Sequence, residues 1–203
     1  MGALARLVER ARRPVDALAR LVALAGGIVL VALVVLVCLS IIGRALGTFG
    51  NWDALEAALP GLAGWLAATF GPIPGDFELL EAGIAFAIFA FLPLCQMRGG
   101  HATVDLFTDR LPGRGSAWVT AFWEIALAGA LVLIAVQLGE GLAGKRRTGE
   151  TTFLIQFPVW WSYAASYAAA LVAAGVGAFC ALARVAEAGT GRTLLAGGTA
   201  GDE

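Results

Sequence analysis

Residues 21–42 read LVALAGGIVLVALVVLVCLSII, twenty-two positions without a charge. As a helix rising 1.5 Å per residue, that run covers about 33 Å, enough to cross the hydrocarbon core of a bilayer. A surface helix of a soluble domain would carry a polar face, and this run has none. Three more runs share its character. Residues 77–97 are apolar after Glu78 and Glu81, residues 117–138 hold one acid, Glu124, and residues 159–183 open on Val159, Trp160 and Trp161. In lipid a spanning segment has to satisfy its own backbone groups, so the four runs predict four transmembrane helices. Composition agrees. With 59% hydrophobic and 14% charged residues and a mean hydropathy of +0.81, the chain is too apolar to hide its surface from water. The predicted fold is an all-α integral membrane protein.

The remaining composition excludes several kinds of chemistry. A net charge of −1 offers no footprint for nucleic acid. Cys38, Cys95 and Cys180 lie far apart inside apolar runs and read as small buried hydrophobes. His101 is the only histidine, so one chain supplies neither a bis-histidine haem nor a histidine-rich zinc site. No cofactor is expected. Basic residues set the direction of the spans. Arg6, Arg10, Arg12, Arg13, Arg20, Arg98, Arg110, Arg114, Arg184 and Arg192 fall on the side of the termini, against Arg44, Lys145, Arg146 and Arg147 on the other. That bias puts both termini in the cytoplasm. At 22 residues the first run exceeds a signal-peptide core and reads as an uncleaved span.

Between and beside the spans the pattern changes. Over residues 1–20, Leu4, Leu7, Val8, Ala11, Val15 and Leu18 recur at helical spacing with arginines largely opposite, which predicts an amphipathic helix in the membrane plane. A plain extension of the first span is the alternative, and Pro14 weakens a single unbroken helix. Residues 43–76 form a long outer segment with helical character, in which Asn51 is placed to cap a helix from Trp52. Pro72, Pro74 and Gly75 make a turn before Asp76, an expected N-cap. Residues 186–203 read as a flexible tail after the membrane domain of residues 21–185.

Polar groups near the bilayer need partners, because an unpaired charge there is costly. Arg44 is expected to pair with Glu78 or Glu81, and Glu124 with Gln96 or Arg98. Such pairs pin a helix bundle; a transport or proton-relay role is the alternative for the deep acid. Pro93 is expected to kink the second span, and Gly129, Gly175 and Gly177 to permit close helix approach. Trp160 and Trp161 suit an interfacial anchor. Lys145, Arg146 and Arg147 stand against the charge bias and suit an outer contact site. No nucleophile–base motif, zinc motif or phosphate loop is present, and no inverted repeat with broken helices suggests a solute site. The residues alone therefore favour an accessory or scaffold subunit, not an enzyme.

One stretch resembles a known family. GDFELLEAGIAFAIFAFLPLCQMRGGHATVDLFTDRLP combines an acidic helix start at Glu78 and Glu81 with Gln96, Arg98, His101, Val104 and Asp105 after the span. It is similar to the small permease subunit of tripartite ATP-independent periplasmic (TRAP) transporters, the DctQ-like family. GETTFLIQFPVWWSYAASY, residues 149–167, is similar to that family's approach to its fourth span. The resemblance implies an uptake system of the bacterial inner membrane in which a DctP-like solute-binding protein captures an organic anion, commonly a carboxylate. A large DctM-like permease subunit moves it on an ion gradient, and the small subunit braces that permease and helps dock the binding protein among membrane lipids. Arg98, His101 and Asp105 would then lie in the cytoplasmic turn after the second span and tie it to bilayer or partner; the alternative for Asp105 is to cap a short interfacial helix over residues 106–110. Two rivals are an anchor subunit of a membrane enzyme or redox complex and a small self-sufficient exporter.

Overall fold

The computed structural model describes residues 3–99 and 113–190. Six helices follow in order: α1 (Ala3–Gly50), α2 (Asp53–Ala58), α3 (Pro60–Thr69), α4 (Asp76–Met97), α5 (Gly113–Thr148) and α6 (Val159–Thr190). Four of them, α1, α4, α5 and α6, are long and apolar enough to cross a membrane. We call the end where α1 begins proximal and the end where it finishes distal. The other three long helices alternate in direction after it.

The long helices form an open row. α1 packs on α4, α4 on α6 and α6 on α5, with the proximal part of α1 also reaching α6. α1 and α5 stand on opposite flanks and make no mutual contact among the described residues. Burial follows this order. In its most apolar stretch α6 is 56% buried, against 17% for α1 and α4 and 22% for α5, so α6 is the spine of the row. Alanines and glycines make the spine possible, since small side chains let backbones approach where lipid supplies no hydrophobic drive. Leu131 and Ala135 of α5 meet Ala170 and Ala174 of α6, with Phe89 and Leu92 of α4 packed against them.

Several expectations change. No break separates residues 3–20 from the first span, because α1 runs unbroken for 48 residues, about 72 Å, with Pro14 inside it. Part of the apolar face read there as membrane-facing packs on protein: Val8, with Val15 against it, joins Ala19, Met97, Val176, Cys180, Ala183 and Ala186 in one buried cluster, while Leu18 stays exposed. Asn51 does not cap α2, whose N-cap is Trp52; its side-chain amide instead donates back to the Gly47 carbonyl at 2.8 Å, closing α1. Asp76 is the first residue of α4, not its cap. The cap is Gly75, at φ 79°, a left-handed conformation that glycine adopts without strain. α6 continues through Thr190, past the expected start of the tail at residue 186, and α4 carries Pro93 without ending.

At the distal end α1 outruns its neighbour. Ten residues beyond Ser40, about 15 Å, α1 ends at Gly50, and α3 folds back along it. The contact is backbone on backbone. A Cβ at Gly50 would lie 2.6 Å from Ala67 N, one at Gly47 2.5 Å from Phe70 O, and one at Gly43 2.3 Å from Gly71 O. The result is a helical projection above the start of α4, with Trp52, Leu59, Leu62 and Trp65 exposed on it.

Candidate functional site

Three polar ties hold the distal end of the chain in shape. The first joins α1 to α4. Ser40, fully buried, donates from Oγ to Asp76 Oδ2 at 2.5 Å and accepts Ile73 N at 3.2 Å. Asp76 Oδ1 accepts Phe77 N at 2.8 Å. Arg44 Nη2 lies 4.0 Å from Asp76 Oδ2, four residues and one helical turn beyond Ser40 on the same face. The carboxylate that meets Arg44 is thus Asp76, in place of the expected Glu78 or Glu81. Asp76 comes first along α4 and points back at α1, whereas Glu81, a turn later, is exposed.

Glu78 makes the second tie. Its carboxylate accepts Leu154 N at 2.6 Å and Ile155 N at 3.1 Å, from the connection between α5 and α6. Charge-assisted bonds of this kind are about twice as strong as neutral ones. The third tie joins Lys145 Nζ to Glu150, an ion pair across the turn that ends α5. The Lys145 ammonium and then the Thr148 hydroxyl hold the Glu150 carboxyl below the usual range.

The three expected outer cations diverge. Lys145 is engaged by Glu150, Arg146 stands 5.3 Å over the Trp160 ring, and Arg147 Nε donates to the Ala143 carbonyl at 3.3 Å. Trp160 and Trp161 meet edge-on at 5.8 Å, Trp160 half-buried and Trp161 exposed.

At the proximal end the interior is polar. Gln96 is 1% exposed, and neither end of its amide finds a hydrogen-bond partner among the described residues. It lies against Gly177, where a Cβ would come within 2.8 Å of Nε2. Glu124 is half-buried on α5; Gln96 makes no bond to it, and Arg98, the C-cap of α4, is exposed. Buried Arg184 pairs instead with Glu187 on its own helix at 2.8 Å. Cys180 Sγ and Met97 Sδ are 3.8 Å apart. His101, Val104, Asp105 and the helix expected over residues 106–110 lie outside the described residues.

Sequence reasoning missed Ser40, Asp76 as a partner, and the Glu78 tie. Ser40 had a signal: it is the one hydroxyl in an otherwise uncharged, aliphatic run, four residues before Arg44. The Glu78 tie spans 76 positions and ends on backbone amides, which no residue type reveals.

None of these groups encloses a solute site. Between α1 and α4 the backbones are too close, since a Cβ on Gly26 would lie 2.6 Å from that of Ala90. The concavity lined by Ala45, Thr48, Phe49, Asn51 and Trp52 is an open depression on the distal projection. What the geometry supplies is a braced slab with a shaped end. Residues 58–188 match the family described as tripartite ATP-independent periplasmic transporters, DctQ component. The chain belongs to the DctQ family. It is therefore the small membrane component of a TRAP transporter, and the four apolar helices fit a multi-pass membrane subunit. The match starts within α2, so the DctQ region takes in α3 to α6 and leaves α1 outside it. No curated protein and no solved structure matches the chain.

Proposed function

We propose that this DctQ chain is a non-catalytic brace for the large permease subunit of an inner-membrane uptake system for organic anions, carboxylates foremost. The observation that carries the reading is the open row. α6 is buried as a spine while the apolar flanks of α1, α4 and α5 stay exposed, which suits a slab that completes itself against a larger neighbour. Close glycine and alanine packing leaves no room for cargo between α1 and α4.

The orientation follows from charge. Eight of the twelve basic residues within the described segments fall at the proximal end, which we assign to the cytoplasm with both termini. The distal end then faces the periplasm and offers the solute-binding protein a docking surface. Its parts are the projection of α1 to α3, with Trp52 and Trp65 exposed, and the Arg147 guanidinium at the end of α5. Lys145 and Arg146 are already engaged within the chain and shape this surface more than they charge it.

Co-expression tests the brace. With an affinity tag on this chain and the large permease untagged, the two should purify together from detergent at a fixed ratio. Recovery of this chain only as a stable monomer, with the permease expressed beside it, would overturn the reading.

A further inference from the structure

The connection between α5 and α6 is a short irregular hairpin whose backbone is tied within the chain. Thr151 and Pro158 face one another as an antiparallel bridge. Thr152 N donates to Phe157 O at 2.8 Å, Phe157 N to Thr152 Oγ1 at 2.9 Å, and Val159 N to Glu150 O at 3.0 Å. The amides of Leu154 and Ile155 donate to Glu78. Gln156 accepts a left-handed φ of 52° to close the loop. A loop tied at so many points is ordered before anything meets it. Two of its apolar side chains nevertheless go unused: Phe153 is 93% exposed and Leu154 63%.

Depth decides what lies beyond them. Glu78 stands in the first turn of α4, a helix of 22 residues, about 33 Å, which matches the hydrocarbon core. That first turn therefore sits at the hydrocarbon boundary, and the amides held by Glu78 sit there with it. Non-helical backbone is tolerated at this depth only where protein satisfies its N–H groups, which is what Glu78 does. The same end carries exposed Phe77 and Trp161, with Arg146 over Trp160. Aromatic side chains with a cation beside them are the composition of a membrane–water interface. Arg146 has no carboxylate within 4.0 Å among the described residues.

We propose that the hairpin is an interfacial anchor in which Phe153 and Leu154 insert at the headgroup–acyl boundary of the distal leaflet and Arg146 faces phospholipid phosphate. Glu78 is its positioning residue. The anchor fixes the height of the slab in the bilayer, and it rests on the four spans, not on the assignment of a permease partner.

Photocrosslinking tests it in the full chain, alone and in the assembled transporter, in bilayers of phosphatidylethanolamine and phosphatidylglycerol. Benzoylphenylalanine in place of Phe153 should form phospholipid adducts in both preparations. Glu78→Gln should lower their yield several-fold, while Glu81→Gln leaves it unchanged. A nitroxide at Phe153→Cys, in a chain with the three native cysteines replaced, should collide freely with oxygen and poorly with a polar nickel chelate. Adducts to the permease or binding protein instead of lipid would overturn the proposal, as would free access of the chelate in bilayers of the chain alone.

Discussion

The seam between α1 and α4 closes on a satisfied polar group, whereas the seam between α4 and α6 closes on an amide with no partner among the described residues. Both seams use glycine to let the helices approach: Gly26 of α1 meets the Ala90 side chain in the first, and Gly177 of α6 makes room for the Gln96 side chain in the second. In the first, the Ser40 hydroxyl and the Asp76 carboxylate complete one another at the end of the spans. In the second, the buried Gln96 amide presses on Gly177. A satisfied group fixes register at little cost, while a buried unsatisfied one costs about 1–3 kcal/mol. The comparison teaches that tight packing and polar satisfaction are separate achievements, and that α4 carries one on each side.

The largest effect should come from the backbone contact beside the first seam, where α1 meets the chain between α3 and α4. Gly43→Leu would drive a side chain into the Gly71 carbonyl, which has no flexible end to yield. A loss of about 3 kcal/mol or more is expected, read as a lower unfolding midpoint in detergent or as failure to fold. Asp76→Ala comes next. It strands the buried Ser40 hydroxyl and removes the Arg44 contact, for a loss of about 2 kcal/mol, and Asp76→Asn should recover part of it.

The second seam should respond in the opposite direction. Gln96→Leu keeps the volume and removes both unpartnered atoms, so stability should hold or rise by about 1 kcal/mol. A drop of 2 kcal/mol in the same unfolding assay would mean that Gln96 has a partner and the two seams are alike. The smallest effect belongs to the surface tie outside both seams. Because Lys145 holds the Glu150 carboxyl below its ordinary value, that tie stabilises the turn above the ordinary carboxyl range and is lost as pH falls through the depressed value. Lys145→Gln should raise the Glu150 titration toward the ordinary range, with the Thr148 hydroxyl still holding part of the depression, as read by NMR on labelled glutamate.

Much of this architecture is legible in the residues. The four spans are, because the absence of charge over about 20 residues leaves a helix in lipid few alternatives. The proximal part of α1 was harder. An amphipathic stripe such as Val8 and Val15 reads the same whether lipid or protein covers it, and only the alanine-rich end of α6, with Ala183 and Ala186, decides for protein. Arg44 was readable as a charge needing a partner, yet three acids lie within six residues at Asp76, Glu78 and Glu81, and sequence does not rank them. Geometry does. Asp76 leads the helix beside the Gly71 contact and meets α1, while Glu78 turns to the hairpin. A tie that ends on backbone amides leaves no trace in residue type.

The central claim is that this slab braces a transporter and moves no solute itself. Reconstitution in liposomes with a carboxylate library and an imposed ion gradient tests it most directly. The account predicts uptake only when this chain, the large permease and the solute-binding protein are all present, and none from this chain alone. Saturable flux through liposomes holding only this chain would contradict it.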